Sequence, residues 1–107
     1  MLTIRHINGD CGPFLDGNTY DAVAVLDNGE PVATVCYFYN PGTIRTRVEI
    51  DCHDLERVAL LPGVHGHLHL LSLVTKTILE HFTEDHEFYC DAFADEDGEP
   101  RDLIIAL

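Results

Sequence analysis

The residues whose spacing could support chemistry are concentrated in one short stretch, residues 63–69, which reads Gly-Val-His-Gly-His-Leu-His. Its alternating histidines, His65, His67 and His69, would share one face of a β-strand, where their imidazoles could bind a transition metal. On a helix, residues two positions apart point in different directions. Because a helical pattern begins here, we predict exposed or capping histidines and no metal site.

The same stretch has the composition of an anion site. Gly66 stands where the helix would begin, and a helix N-terminus presents unpaired N–H groups to an anion. The apolar residues that indicate the helix recur at helical spacing: Leu68, Leu71, Val74, Ile78, Leu79 and Phe82. We therefore predict one main helix over about residues 66–82, with a stripe that covers a sheet.

The rest of the chain is rich in strand patterns. Asp27-Asn28-Gly29-Glu30 is a tight-turn signal between two apolar runs. We predict strands over Leu2–Ile7, Tyr20–Leu26, Pro31–Tyr39, Thr43–Cys52, Leu55–Leu61, Glu87–Ala94 and Asp102–Leu107, with one long bent strand over Thr43–Leu61 as an alternative. The expected fold class is α+β: one domain, a mostly antiparallel sheet of five to seven strands, and one main helix in a β-α-β crossover.

The charge balance excludes some partners. Nineteen Asp and Glu against six Lys and Arg give a formal net charge of −13, which opposes binding to a phosphate backbone. No apolar run reaches the roughly 18 residues that span a bilayer, and residues 1–10 lack a signal sequence. We expect a cytoplasmic protein that binds a basic protein or a small cationic amine, without direct contact to nucleic acid or membrane.

The C-terminal third is the most acidic part of the chain. Ten acidic residues fall between Glu80 and Asp102, where Arg101 is the only Lys or Arg. Such a surface can dock a basic protein or imitate a nucleic-acid backbone, and small acidic inhibitors from mobile genetic elements share this charge. The candidate partner-binding residues are Asp91, Asp95, Glu96, Asp97 and Glu99.

The cysteines have no metal-binding or disulfide pattern. Cys11, Cys36, Cys52 and Cys90 are widely spaced, without a Cys-x-x-Cys pair. We therefore predict four structural thiols rather than a zinc ribbon or a disulfide framework.

The order of elements resembles the GNAT superfamily of acetyl-CoA-dependent N-acetyltransferases. Residues 1–5, MLTIR, are similar to the family's first strand, and residues 22–38, AVAVLDNGEPVATVCYF, to its second and third. Residues 55–82 are similar to the family's acetyl-CoA segment: a fourth strand, a pyrophosphate loop and a helix. The resemblance implies an acetyl-CoA-dependent N-acyltransferase that acts on a cationic amine.

The resemblance also implies site residues. Acetyl-CoA would contact Leu60 and the turn after it, where the backbone of Val64, His65, Gly66 and His67 would hold the pyrophosphate. Glu56 is the first candidate for the general base, and His53 is another.

The chain departs from the family's pattern at several positions. Gly63 stands where the family keeps Arg or Gln, and Leu68 where it keeps a small residue. The loop over residues 8–18 is too short for the helices that usually follow the first strand. A second hypothesis is therefore a catalytically inactive acidic binding module of the inhibitor or DNA-mimic type. With either function, the edge of Asp102–Leu107 could form a homodimer.

Overall fold

The computed structural model describes residues 1–7, 19–39, 46–81, 93 and 99–107. These residues form strands β1 (Leu2–Ile7), β2 (Thr19–Asp27), β3 (Glu30–Tyr39), β4 (Thr46–Cys52) and β5 (Leu103–Ile104), and helices α1 (Leu55–Ala59) and α2 (His67–Glu80). The α+β class is therefore confirmed. The predicted strand over Glu87–Ala94 lies outside the described residues.

The strands form one antiparallel sheet in the order β4-β3-β2-β1-β5. The first four follow one another as neighbours, and β5 returns to pair with the far side of β1. The predicted hairpin is confirmed: Asn28 and Gly29, at φ +50° and +87°, form the turn between β2 and β3. Two positive φ angles match the twist of the flanking strands, which explains the Asn-Gly sequence.

Both helices pack on one face of the sheet. Residues that pair across strands share a face, and the register places Val25 of β2 between Ile4 of β1 and Ala33 of β3. The α2 side chains buried against the sheet layer are Leu70, Val74, Thr77 and Ile78. Each fully buried aliphatic side chain contributes about 1.5–3 kcal/mol of gross stabilisation, so this contact anchors α2.

The predicted helix is confirmed, but its predicted buried stripe is partly wrong. Leu68 and Leu79 are 67% and 57% exposed, whereas Leu70 is fully buried. The sequence of α2 is apolar around much of its circumference, so its periodicity does not determine which face meets the sheet. Contact with the sheet selects the face that contains Leu70, Val74 and Ile78.

The predicted strand over Leu55–Leu61 is wrong, because this segment begins with α1. The Asp54 side chain accepts a hydrogen bond from the N–H of Arg57 at 3.1 Å and so caps the helix. Arg57 also donates from Nε to Asp27 Oδ2 at 3.2 Å and pairs with Glu30, which attaches α1 to the hairpin. The predicted crossover therefore lacks the strand that was expected directly before α2.

The end of the sheet and the cysteines also differ from expectation. β5 contains only Leu103 and Ile104, so it is shorter than the predicted strand. Cys36 is disulfide-bonded, so the prediction of four thiols is wrong. Its partner lies outside the described residues, because Cys52 carries a free thiol.

In the described ranges, neither helix is long and apolar enough to cross a membrane.

Candidate functional site

The turn before α2 already uses two of its backbone N–H groups. Val64 donates to the carbonyl of Leu61 at 3.2 Å, and His65 donates to Nδ1 of His69 at 2.9 Å. The Val64 side chain is buried in the core, so it is not presented to a ligand. Of the proposed pyrophosphate cradle, only the N–H groups of Gly66 and His67 lack a hydrogen bond among the described residues.

Gly66 is the N-cap of α2 and has a backbone conformation that side chains disfavour. Its φ and ψ are +95° and 177°, and a Cβ built there would meet no atom within 4 Å. Backbone geometry therefore requires glycine at this position even without a bound phosphate.

Two of the three histidines contact each other at the start of α2. The rings of His65 and His69 lie 5.1 Å apart, and His69 Nδ1 accepts the His65 N–H. With Nδ1 as acceptor, the neutral imidazole carries its proton on Nε2. Neither ring nitrogen of His69 then has a lone pair free for a metal ion. Within the described ranges, no three His, Cys, Asp or Glu residues are grouped to hold a metal ion.

The candidate bases lie just before α1 and within it, not in the turn that leads into α2. His53 Nε2 lies 2.8 Å from Oγ1 of Thr34, a residue of β3. Glu56 is exposed in the first turn of α1, and the side chain of Leu60, at the end of α1, is 81% exposed. Among the described residues, no hydrogen bond or ion pair joins Glu56 or His53 to residues 64–67.

Little of the predicted acidic surface can be located. Asp91, Asp95, Glu96 and Asp97 lie outside the described residues, and Glu99 is exposed. Nearby, Asp102 accepts two hydrogen bonds from Arg5, at 3.0 and 2.9 Å. This pair raises the pKa of Arg5, so one acidic residue of the stretch already has a partner within the chain.

A groove between α2 and β4 was not predicted from the sequence. Its volume is about 660 Å³, within the range of ligand sites. Val48 of β4 and Leu71 and Leu79 of α2 form its apolar walls, and the remaining lining side chains are Ser72, Thr75, Lys76 and Glu80. The sequence signal for it is the four-residue repeat Leu71, Thr75 and Leu79, of which Leu71 and Leu79 were assigned to the buried stripe of the helix.

A hydrogen bond between the sheet and α2 supports the groove. Tyr37 of β3 pairs with Val48 of β4, and its side chain is 1% exposed. Its hydroxyl lies 3.0 Å from Oγ1 of Thr75. Because Tyr37 and Thr75 are hydrogen-bonded, one polar group of the groove already has an intrachain partner.

The rim of the groove carries two opposite charges. Lys76, the only lysine in the chain, lies 4.0 Å from Glu80, and their side chains are 75% and 56% exposed. An exposed pair at four-residue spacing contributes only about 0.3–0.5 kcal/mol. Breaking this contact therefore costs little.

No protein family, curated protein or solved structure was found to match this chain.

Proposed function

We propose that the protein is a non-catalytic binding module for a basic protein, and that the partner's apolar side chains enter the groove between α2 and β4. The observation that carries this proposal is an open apolar groove of about 660 Å³ on a chain with a net charge of −13. The charge and the groove contribute at different stages of binding.

At long range, the charge attracts a basic partner and speeds its approach. At short range, the walls formed by Val48, Leu71 and Leu79 bury apolar surface. Burying one leucine-sized side chain contributes roughly 1.5–3 kcal/mol. Charge alone would not distinguish among basic proteins, whereas an apolar anchor can do so.

The contacts around α2 favour binding over catalysis. Val64 and His65 donate their N–H groups within the chain. Among the described residues, no hydrogen bond or ion pair joins the candidate bases His53 and Glu56 to the turn that would hold acetyl-CoA. By comparison, the groove residues lie on one helix and one adjacent strand.

The test uses two fluorescein-labelled basic peptides of equal charge, one with leucine anchors and one with serine in their place. We expect the leucine peptide to bind at least tenfold more tightly, and its affinity to fall when salt rises from 50 to 300 mM. Fluorescence anisotropy measures both. Equal affinities for the two peptides, or binding that does not respond to salt, would overturn the proposal.

A matched pair of variants locates the binding site. Leu79→Asp and Leu68→Asp each add one negative charge on an exposed position of α2, but only Leu79 lines the groove. We expect Leu79→Asp to weaken binding of the leucine peptide and Leu68→Asp to leave it within twofold. If both variants bind equally well, the groove is not the site.

A second candidate function is the acetyl-CoA-dependent N-acyltransferase that the family resemblance implies, acting on a cationic amine. It is supported by the unpaired N–H groups of Gly66 and His67 at the start of α2. Glu56 and His53 remain its proposed bases. Titration with acetyl-CoA in a calorimeter tests it, and the absence of heat at high micromolar cofactor would contradict it.

The chain offers a sharp control for that titration. His67 is the first residue of α2, a position where proline is favoured because its missing N–H has no helical acceptor. His67→Pro therefore removes one of the two unpaired N–H groups and preserves the helix. If acetyl-CoA binds there, His67→Pro should weaken binding more than His67→Ala does.

A further inference from the structure

We infer that the segment received by the groove is a basic amphipathic helix of two to three turns, which lies beside α2 and over the edge of β4. This inference rests on the proposed binding function and specifies the partner's recognition element. It is carried by the shape of the groove, the polar groups of its lining and the charge of the chain.

The groove follows the axis of α2. Its lining residues form two rows with four-residue spacing: Leu71, Thr75 and Leu79, and Ser72, Lys76 and Glu80. The nine residue steps from Leu71 to Glu80 span roughly 13.5 Å at 1.5 Å per residue. The groove is therefore bordered by two to three turns of α2.

Rows with four-residue spacing are the ridges against which a second helix packs. Side chains of an incoming helix fit between such ridges at interaxial distances of about 8–10 Å. The sheet flank of the groove is incompletely covered, since Val48 of β4 is only partly buried. A helix placed beside α2 would cover it.

The lining is poorly suited to an extended peptide. An extended chain needs acceptors and donors for its own backbone groups, and buried backbone groups without partners are costly. The backbone of α2 is hydrogen-bonded within the helix. β4 is an edge strand of the described sheet, but only its Val48 lines the groove, so a peptide paired along that edge would not follow the wall formed by α2. Thr75 is already hydrogen-bonded to Tyr37. A helix satisfies its backbone internally and presents only side chains.

The charge of the chain indicates what the solvent-facing side of the partner helix should carry. At the rim Lys76 and Glu80 balance each other, so the attraction for a basic helix comes from the net charge of −13, and Glu80 can meet a lysine or arginine once its contact with Lys76 is exchanged. The partner helix should therefore place apolar residues at positions i, i+3 or i+4, and i+7, with basic residues elsewhere. A second copy of this chain fits poorly, because two molecules of −13 repel each other.

The experiment compares three labelled peptides of equal charge in an anisotropy titration. The first has leucines at helical spacing on a background of lysine and alanine. The second is the same peptide with two central alanines replaced by proline, and the third has serine in place of each leucine. We expect the first to bind at least tenfold more tightly than the other two, and to gain helical circular dichroism on binding. Leu79→Asp should remove this preference, with Leu68→Asp as its matched control.

The outcomes separate the two proposals. If the first two peptides bind equally and both lose affinity with Leu79→Asp, the helical partner is overturned and the groove function is supported. If the serine peptide binds as tightly as the first, or if the first does not bind, both proposals are overturned. Ser72→Arg, which adds a bulky cation at an exposed groove position, repeats the test should Leu79→Asp fail to fold.

Discussion

The hydroxyl of Tyr37 lies 3.0 Å from Oγ1 of Thr75, and this hydrogen bond joins β3 to α2 beneath the groove. The Tyr37 side chain is 1% exposed, whereas Thr75 is half-buried and lines the groove, so the bond is partly shielded from water. Tyr37 also pairs with Val48 across the sheet. One buried aromatic residue therefore helps to position both walls of the groove.

We predict that Tyr37→Phe lowers the free energy of unfolding by about 1 kcal/mol, because it removes a partly buried hydrogen bond and preserves the ring. Urea denaturation measures the change. Thr75→Ser is the matched control, since it keeps the hydroxyl and should cost less than Tyr37→Phe. An unchanged denaturation midpoint for Tyr37→Phe would contradict a stabilising role for this bond.

Removing the cap of α1 should destabilise the protein. Asp54→Ala deletes the oxygen that accepts from the N–H of Arg57, and the loss of an aspartate N-cap costs about 1 kcal/mol. Asp54→Asn keeps an acceptor and should be almost neutral. Thermal and urea denaturation test the difference, and equal losses for both variants would argue against the cap and against α1 itself.

That prediction concerns the segment where sequence reasoning failed most clearly. Ala59, Leu60 and Leu61 form an apolar run typical of a buried strand, yet Leu60 is 81% exposed. The helix signal was present, because Asp54 can cap and Val58 and Leu61 stand three residues apart. A short apolar run is compatible with either a strand or a helix. Here the Asp54 cap and the burial of Val58 favour the helix.

Local signals did predict the elements that depend on local physics. β1 has the predicted bounds, the Asn28-Gly29 turn closes the predicted hairpin, and α2 begins and ends within two residues of its prediction. The groove could not be predicted in this way. It exists because Val48 lies beside Leu71 and Leu79 in space, and this depends on how α2 is placed on the sheet.

The thiol of Cys52 should react slowly at neutral pH. Burial raises its pKa above the ordinary value of 9.0, and the carboxylate of Asp51 raises it further. We predict slower alkylation by iodoacetamide at pH 8 in the folded protein than in urea, measured by mass spectrometry of the peptide that contains Cys52. Asp51→Asn should speed the reaction, whereas Glu80→Gln should not.

The same shift determines the sign of the pH effect on stability. The folded state favours the protonated thiol, so this contribution is fully present below the unfolded pKa of Cys52. As pH rises above 9.0, the unfolded state loses its proton first, and the free energy of unfolding should decrease. Cys52→Ser should flatten that decrease, and an unchanged pH profile would contradict the assignment.

The last prediction concerns Gly66, the N-cap of α2. Its φ of +95° and ψ of 177° are accessible almost only to glycine, so Gly66→Ala should lower the free energy of unfolding by about 1–3 kcal/mol. Space is not the cause, because a Cβ would meet no atom within 4 Å. Replacing Gly66 with D-alanine, by semisynthesis with ligation at Cys52, should restore the stability since a D-residue favours positive φ. If both enantiomers destabilise equally, backbone conformation is not the reason for glycine at this position.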